Sequence, residues 1–298
     1  MNTATQELHT LRDWVRFYVS EMHRNNVFFG HGCSNAFDEA IFMVQCALHL
    51  PIGTLEPYWD ARVTQAEKIT LLAHLSQRTT QRKPASYITG QSWLQGECFV
   101  VDPRVIIPRS FIAELLSDQL TPWIHAPEMP MRILDMCTGS ACLAILAAYA
   151  FENAEVDAVD LSADALTVAR TNISNHELTD RVHPIESDLF TQLAGQQYDL
   201  ILTNPPYVNE ASMQSLPPEY LHEPRMALAG GNTGMDLIDR ILKAAPQHLS
   251  DEGLLIVELG NEREHFEAAY PHLDVIWLDT SAGDNQVFLI HKRSLLYI

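Results

Sequence analysis

Nowhere does the 298-residue sequence reach the roughly 18 consecutive apolar residues that a membrane span requires, although apolar residues make up 47% of it. That excludes a membrane-spanning helical bundle and leaves enough core material for one large domain or two modest ones. Cysteine is sparse. Cys33, Cys46, Cys98, Cys137 and Cys142 show neither a Cys-x-x-Cys pair nor disulfide-like spacing, which fits a reduced, cytoplasmic protein rather than a disulfide scaffold. His31 and Cys33 alone are too few for a metal site, so Phe29-Gly30-His31-Gly32 reads as a turn and no metal is expected. Residues 1–24 mix acids and bases, unlike a secretory signal.

Positive charge is also scarce. Nineteen Lys and Arg face 38 Asp and Glu, a net charge of −19. Residues 1–90 are balanced, with eight acids and eight bases, so the remainder carries 30 acids against 11 bases and the whole excess. An acidic region of this kind repels phosphate and attracts cations, which argues against a nucleic-acid substrate and for a basic protein partner. Acidity also serves solubility, so charge alone leaves both readings open.

The change in charge suggests a domain boundary. Leu8, Leu11, Val15, Val19 and Met22 recur at helical spacing across residues 6–24. Asn35–Leu50 reads as a second helix, capped by Asn35 and stopped by Pro51, and Thr64–Arg82 as a third, with Thr64 and Glu67 forming a capping box. These make a helical N-terminal domain over residues 1–85. Residues 86–108 look extended, a hairpin linker to a larger domain at 109–298.

That larger domain alternates strands and helices. Met131–Asp135, Val156–Asp160, Val182–Glu186 and Asp199–Thr203 read as buried parallel strands. Helix Met235–Leu249, strand Gly253–Leu259 and an antiparallel pair at His272–Leu278 and Gln286–His291 follow. The fold class is α/β: a Rossmann-like parallel sheet with a terminal antiparallel hairpin.

Asn204-Pro205-Pro206-Tyr207 closes the fourth of these parallel strands. Two prolines cannot continue a ladder, so the backbone breaks away at the carboxyl end of the strand, where open α/β sheets bind ligands. The Asn204 carboxamide oxygen and a carbonyl of the Pro-Pro turn can accept both N–H bonds of a planar NH2 group, and the Tyr207 ring can cover its face. Asp135 ends the first strand, and Cys137-Thr138-Gly139-Ser140-Ala141 then turns into the apolar helix Cys142–Ala150. Such a small-residue turn lets backbone approach a ligand at a helix N-terminus. Asp160 and Asp188 end or follow the next two strands, placed to accept from ribose hydroxyls and an adenine amino group. The long stretch Val208–Asn232, rich in Pro, Glu, His and Gly, reads as a long loop, either functional or disordered.

Asn-Pro-Pro-Tyr resembles the signature of methyltransferases that modify exocyclic base amines or the glutamine amide. The Asp135–Ala141 turn resembles the first motif of S-adenosylmethionine (SAM) methyltransferases, with Cys137 and Ala141 standing where that motif has its first and third glycines. Ala85-Ser86-Tyr87-Ile88-Thr89-Gly90 with Val105-Ile106-Ile107-Pro108-Arg109 resembles the linker of the bacterial protein-glutamine methyltransferases. Phe29-Gly30-His31-Gly32, Leu216-Pro217-Pro218-Glu219-Tyr220 and Glu258-Leu259-Gly260-Asn261 look more like the ribosomal-protein branch than the release-factor branch.

The resemblance implies a class I methyltransferase sheet and SAM as cofactor. It implies a glutamine of the third large-subunit ribosomal protein, a basic chain, as substrate, with the helical domain recognising it. Asn204, Pro205, Pro206 and Tyr207 would be catalytic. Asp135, Cys137, Thr138, Gly139, Ser140, Asp160, Asp188, Leu189 and Asn204 would hold the cofactor. Where the release-factor branch has an aromatic after the third-strand Asp, this chain has Leu189. Other readings are a release-factor glutamine methyltransferase, an adenine-amine methyltransferase, and a ribosome-assembly factor without turnover.

Overall fold

A computed structural model of the chain describes residues 2–296. Two compact units divide it: one runs to Ser92 and takes in Pro217–His222, and the other comprises Trp93–Leu216 and the chain from Glu223 onward.

The first unit is helical, with α1 (Asn2–Glu7), α2 (Leu11–Arg24), α3 (Ala36–Ala47), α4 (Gln65–Thr79) and α5 (Ala85–Thr89). The single helix expected across 6–24 is broken ahead of Leu11, because Thr10 and Asp13 form a reciprocal capping box that starts α2 afresh. Asn35 and the Thr64–Glu67 box cap α3 and α4. Apolar faces of α2, α3 and α4 meet through Trp14, Tyr18, Met43, Val44, Leu71 and Leu75. The Tyr18 hydroxyl, buried with them, donates to the Leu71 carbonyl at 2.6 Å.

A buried ion cluster also belongs to this unit. The Arg78 guanidinium donates to Glu39 at 2.6 Å, to Glu219 at 3.2 Å and to the Phe28 carbonyl at 2.7 Å, and Arg82 adds a bond to Glu219 at 2.8 Å. The His31 ring packs on Tyr220, with centroids 4.3 Å apart.

In chain order the second unit's elements are β1 (Gln91–Leu94, through which the division runs), β2 (Glu97–Val100), α6 (Ile112–Ser117), β3 (Met131–Met136), α7 (Cys142–Ala150), β4 (Ala154–Asp160), α8 (Ala163–Asn175), β5 (Val182–Glu186) and β6 (Tyr198–Thr203). There follow α9 (Glu210–Ser215), α10 (Asp236–His248), β7 (Leu249–Glu258), α11 (Arg263–Ala269), β8 (Ile276–Thr280), β9 (Gly283–His291) and α12 (Lys292–Leu295). Strands β1 and β2 form a two-stranded sheet, while the main sheet has the order β5-β4-β3-β6-β7-β9-β8. Its first five members are parallel and β9 runs antiparallel to β7 and β8. Pro184 is tolerated because β5 is an edge strand.

Three expectations change in detail. The segment at 86–108 opens with a short helix rather than a strand, since α5 occupies Ala85–Thr89. The stretch Val208–Asn232 is not featureless: it contains α9 and two 3-10 turns, at Pro218–His222 and Arg225–Ala227. The terminal hairpin is β8–β9, its first strand starting at Ile276 instead of His272.

Chain reversal between β4 on one side of β3 and β6 on the other creates a crevice at the carboxyl ends of these strands. The register pairs Met136 with both Val159 and Thr203, Asp160 with Glu186, and Thr203 with Val257. Cys137–Ser140, Asp160, Asp188, Asn204 and Glu258 therefore gather along one rim.

Candidate active site

The crevice at that rim encloses about 720 Å³, including the part open to solvent. Cys137, Gly139, Asp160, Asp188, Leu189, Asn204 and Pro206, all expected from sequence, line it. Val105, Ile106, Leu161, Met226 and Leu237, which sequence reasoning missed, complete a largely apolar wall.

The turn after β3 has an alternating conformation. Cys137 (φ 62°), Gly139 (φ 54°) and Ala141 (φ 64°) are all left-handed. Glycine adopts this freely, whereas for L side chains it costs about 1–2 kcal/mol each. The two positions where the motif has exchanged glycine therefore keep glycine's backbone. Polar groups hold them there. Asp135, fully buried, accepts from the Thr138 hydroxyl at 2.5 Å and from the Ala144 N–H at 3.0 Å. The Gly139 N–H donates to Asp160 at 2.9 Å, and Asn172 donates to the Ser140 carbonyl at 2.9 Å.

Asp135, Thr138 and Ser140 are thus brought together beneath the turn. They do not line the crevice, and their polar atoms brace the backbone that does.

The acids at the strand ends have distinct environments. Burial raises the pKa of Asp160, whose oxygens accept from the Gly139 and Ser162 N–H groups at 2.9 Å each. Asp188 is exposed and takes one hydrogen bond, 2.8 Å, from Arg240. Each carboxylate oxygen has two lone pairs, so acceptor capacity remains on both acids for a ligand's hydroxyl or amino groups. Desolvation raises the Cys137 thiol well above its ordinary value, so it remains protonated and unreactive at neutral pH.

On the other side of the crevice, the Asn204 Nδ2 donates to Glu258 Oε1 at 3.1 Å. The next turn is fixed by close approach. A Cβ on Gly260 would lie 2.5 Å from the Tyr207 ring, and one on Gly230 would lie 2.6 Å from the Tyr207 Cα. Val208 and Gly230 clamp the strand exit, Val208 N–H donating to the Leu228 carbonyl and Gly230 N–H to the Val208 carbonyl. Pro205 is buried and Tyr207 half-buried, and neither lines the crevice itself. Arg109, bidentate to Glu223 at 2.6 and 2.8 Å, ties the wall at Val105–Ile106 to the wall at Pro224–Ala227.

A family model described as "Methyltransferase small domain" matches residues 114–270. The chain is 53% identical over 294 residues to the ribosomal protein uL3 glutamine methyltransferase of Bordetella pertussis, covering 99% of both chains. It is 50% identical over 296 residues to the protein of that name from Neisseria gonorrhoeae, covering 99% of this chain and 98% of the other. The chain belongs to this methyltransferase family. The matched segment 114–270 contains the Cys137–Ala141 turn, the strand-end acids, Asn204 and Glu258. Among solved structures, the hMettl16 catalytic domain in complex with MAT2A 3'UTR hairpin 1 has a TM-score of 0.50. That match covers 79% of this chain and 83% of the other at 15% identity, a likeness of methyltransferase fold alone.

Proposed function

We propose that the chain transfers a methyl group from SAM to the side-chain amide nitrogen of a glutamine in ribosomal protein uL3. The observation that carries this reading is 53% identity across 99% of both chains to a uL3 glutamine methyltransferase. The Asn204-Pro205-Pro206-Tyr207 turn on the rim of the crevice supplies chemistry to match.

The crevice fits the cofactor. Gly139 allows close backbone approach, since a Cβ there would find only Ile106 within 4 Å, at 3.7 Å. Asp160 would take the ribose hydroxyls and Asp188 the adenine amino group, with Leu161 and Leu189 against the ring. Bound there, SAM supplies an electrophilic methyl on a sulfonium centre. The acidic lining suits that cation.

On the substrate side, the Asn204 Nδ2 is committed to Glu258, which leaves Oδ1 as the acceptor this side chain offers. It takes one N–H of the glutamine amide and the Pro205 carbonyl takes the other, with Tyr207 beside the amide plane. An amide nitrogen is a poor nucleophile because its lone pair is delocalised. Fixing both N–H bonds in acceptors weakens that delocalisation and aims the lone pair at the methyl group. The surplus proton leaves to solvent after transfer, so the site needs no general base. The helical unit would select uL3, and a modifier of a ribosomal protein acts in the cytoplasm.

Mass spectrometry of uL3 after incubation with this chain and SAM tests the reading, with the free release factor in parallel. One added methyl on a glutamine of uL3 alone is expected. Methylation of the release factor instead would move the chain to the sister branch, and modification of neither would remove the enzymatic reading.

A further inference from the structure

Glu258 ends β7, and the parallel register that pairs Thr203 with Val257 puts it beside Asn204. It is fully buried, and its carboxylate meets donors on both oxygens. Oε1 accepts from the Asn204 Nδ2 at 3.1 Å, and Oε2 from the Ser110 hydroxyl at 2.6 Å and the Phe111 N–H at 2.9 Å. A buried acid with no guanidinium or ammonium in hydrogen-bond contact is costly to keep, and methyl transfer does not use it directly.

We infer that Glu258 is a positioning residue: it dictates which end of the Asn204 carboxamide faces the substrate. The inference rests on the proposed glutamine-amide chemistry. A carboxamide has a donor end and an acceptor end of nearly the same shape, so packing alone does not choose between them. Beside an ionised carboxylate oxygen, the form present in an assay at pH 8, only the NH2 end is tolerated, because the alternative opposes two oxygens. The acceptor Oδ1 is thereby presented to the incoming amide, and a flipped Asn204 would oppose donor to donor there.

The same logic predicts what the isosteric change Glu258→Gln does. The Phe111 N–H belongs to the backbone and cannot turn away, so the Gln carbonyl takes the Oε2 position. Its NH2 then faces Asn204, which must turn its oxygen toward residue 258 and its NH2 toward the substrate. Nothing in the cavity changes size, and of the crevice-lining groups only the Asn204 amide turns.

The test compares wild type, Glu258→Gln, Asn204→Ala and the double variant in steady-state methylation of uL3, with SAM affinity measured by calorimetry. Glu258→Gln is expected to lower kcat on the order of 100-fold, the scale of one lost transition-state acceptor, with uL3 KM and SAM Kd close to wild type. In the Asn204→Ala background it should cost nothing further, since it acts through the residue already removed. Additive losses, unchanged kcat, or SAM affinity falling in step with kcat would each overturn the role.

If Glu258→Gln fails to fold, the wild-type Asn204 side-chain amide resonances decide the matter. One Nδ2 proton should exchange with solvent far more slowly than the other, and two equally fast protons would overturn the contact. If wild type leaves uL3 unmodified, the substrate reading fails by itself, and the same amide protons still judge Glu258.

Discussion

Buried acids are given different kinds of partner in the two units. In the helical unit, Glu39 and Glu219 are sealed from water but share the guanidinium of Arg78, with Arg82 added at Glu219. Burial would raise both, and Glu39 does stay above the ordinary carboxylate value despite Arg78, while hydrogen bonds from Arg82 and the Phe28 backbone bring Glu219 below it. In the sheet unit, Asp135 and Glu258 are equally buried, and hydroxyl, backbone and amide donors surround them. Desolvation pushes both up to about 7 despite those bonds. The first arrangement neutralises charge to hold a core together. The second leaves charge under-compensated, and under the proposed function it orients neighbouring groups at the methyl-transfer site. Buried charge is therefore structural in one unit and directional in the other.

The largest effect should come from breaking the structural arrangement. Arg78→Met leaves two buried carboxylates without their common cation, and removing one partner of such a cluster costs about 3–5 kcal/mol. Urea unfolding followed by a helical signal measures it. Adding Glu39→Gln and Glu219→Gln to the same chain should restore most of the loss, because no buried unpaired carboxylate then remains and Arg82 is partly exposed to solvent. A triple variant as unstable as Arg78→Met would mean that the guanidinium stabilises by packing rather than by charge.

Next in size are the two sides of the crevice. Asn204→Ala should lower kcat on the order of 100- to 1,000-fold and leave SAM affinity nearly intact. Asp160→Asn should do the reverse, weakening SAM binding on the order of tenfold with a smaller loss in kcat, since one acceptor for the ribose becomes a donor. Calorimetry and single-turnover methylation separate the two. Equal losses of both quantities in Asn204→Ala would contradict its assignment to the substrate.

Much of this division could be read from residues alone, for identifiable reasons. Strand ends, caps and the Asn-Pro-Pro-Tyr break follow from short-range rules, so β5 (Val182–Glu186), α7 (Cys142–Ala150) and the caps at Asn35 and Thr64 lie where expected. Asp160 and Asp188 were legible because each follows a strand of recognisable pattern. What was hidden depends on register and on partners far along the chain. Glu258 meets Asn204 across 54 positions and Ser110 across 148, and nothing local distinguishes it from a solvent-facing acid at the end of a strand. Asp135 and Thr138 were placed in the cofactor's path because the motif groups them with Gly139. Only the three-dimensional turn reveals that their polar atoms face each other. Helix α8 has a local signal too, a Ser162 cap whose side chain accepts from the Ala165 N–H.

The smallest effect concerns the directional carboxylate itself and needs no substrate. Glu258 starts from an ordinary value of 4.5 and is pushed up to about 7 by burial. The folded protein therefore holds this proton through a range in which the unfolded chain has released it. Because the native state binds more protons there, stability must fall as pH rises from about 4.5 through 7, and the full cost is present above that range. Gln at the same position does not titrate. Its thermal midpoint relative to wild type should improve steadily between pH 5 and pH 8, with the contribution of Asp135 common to both chains. One pKa unit corresponds to about 1.4 kcal/mol, and each kcal/mol to about 2–4 °C in a domain of this size, so the relative gain should amount to several degrees. Melting curves followed by circular dichroism at four pH values suffice. A difference independent of pH would give Glu258 an ordinary carboxylate pKa in the fold. A difference of opposite slope would mean that its hydrogen bonds outweigh burial, as they do at Glu219.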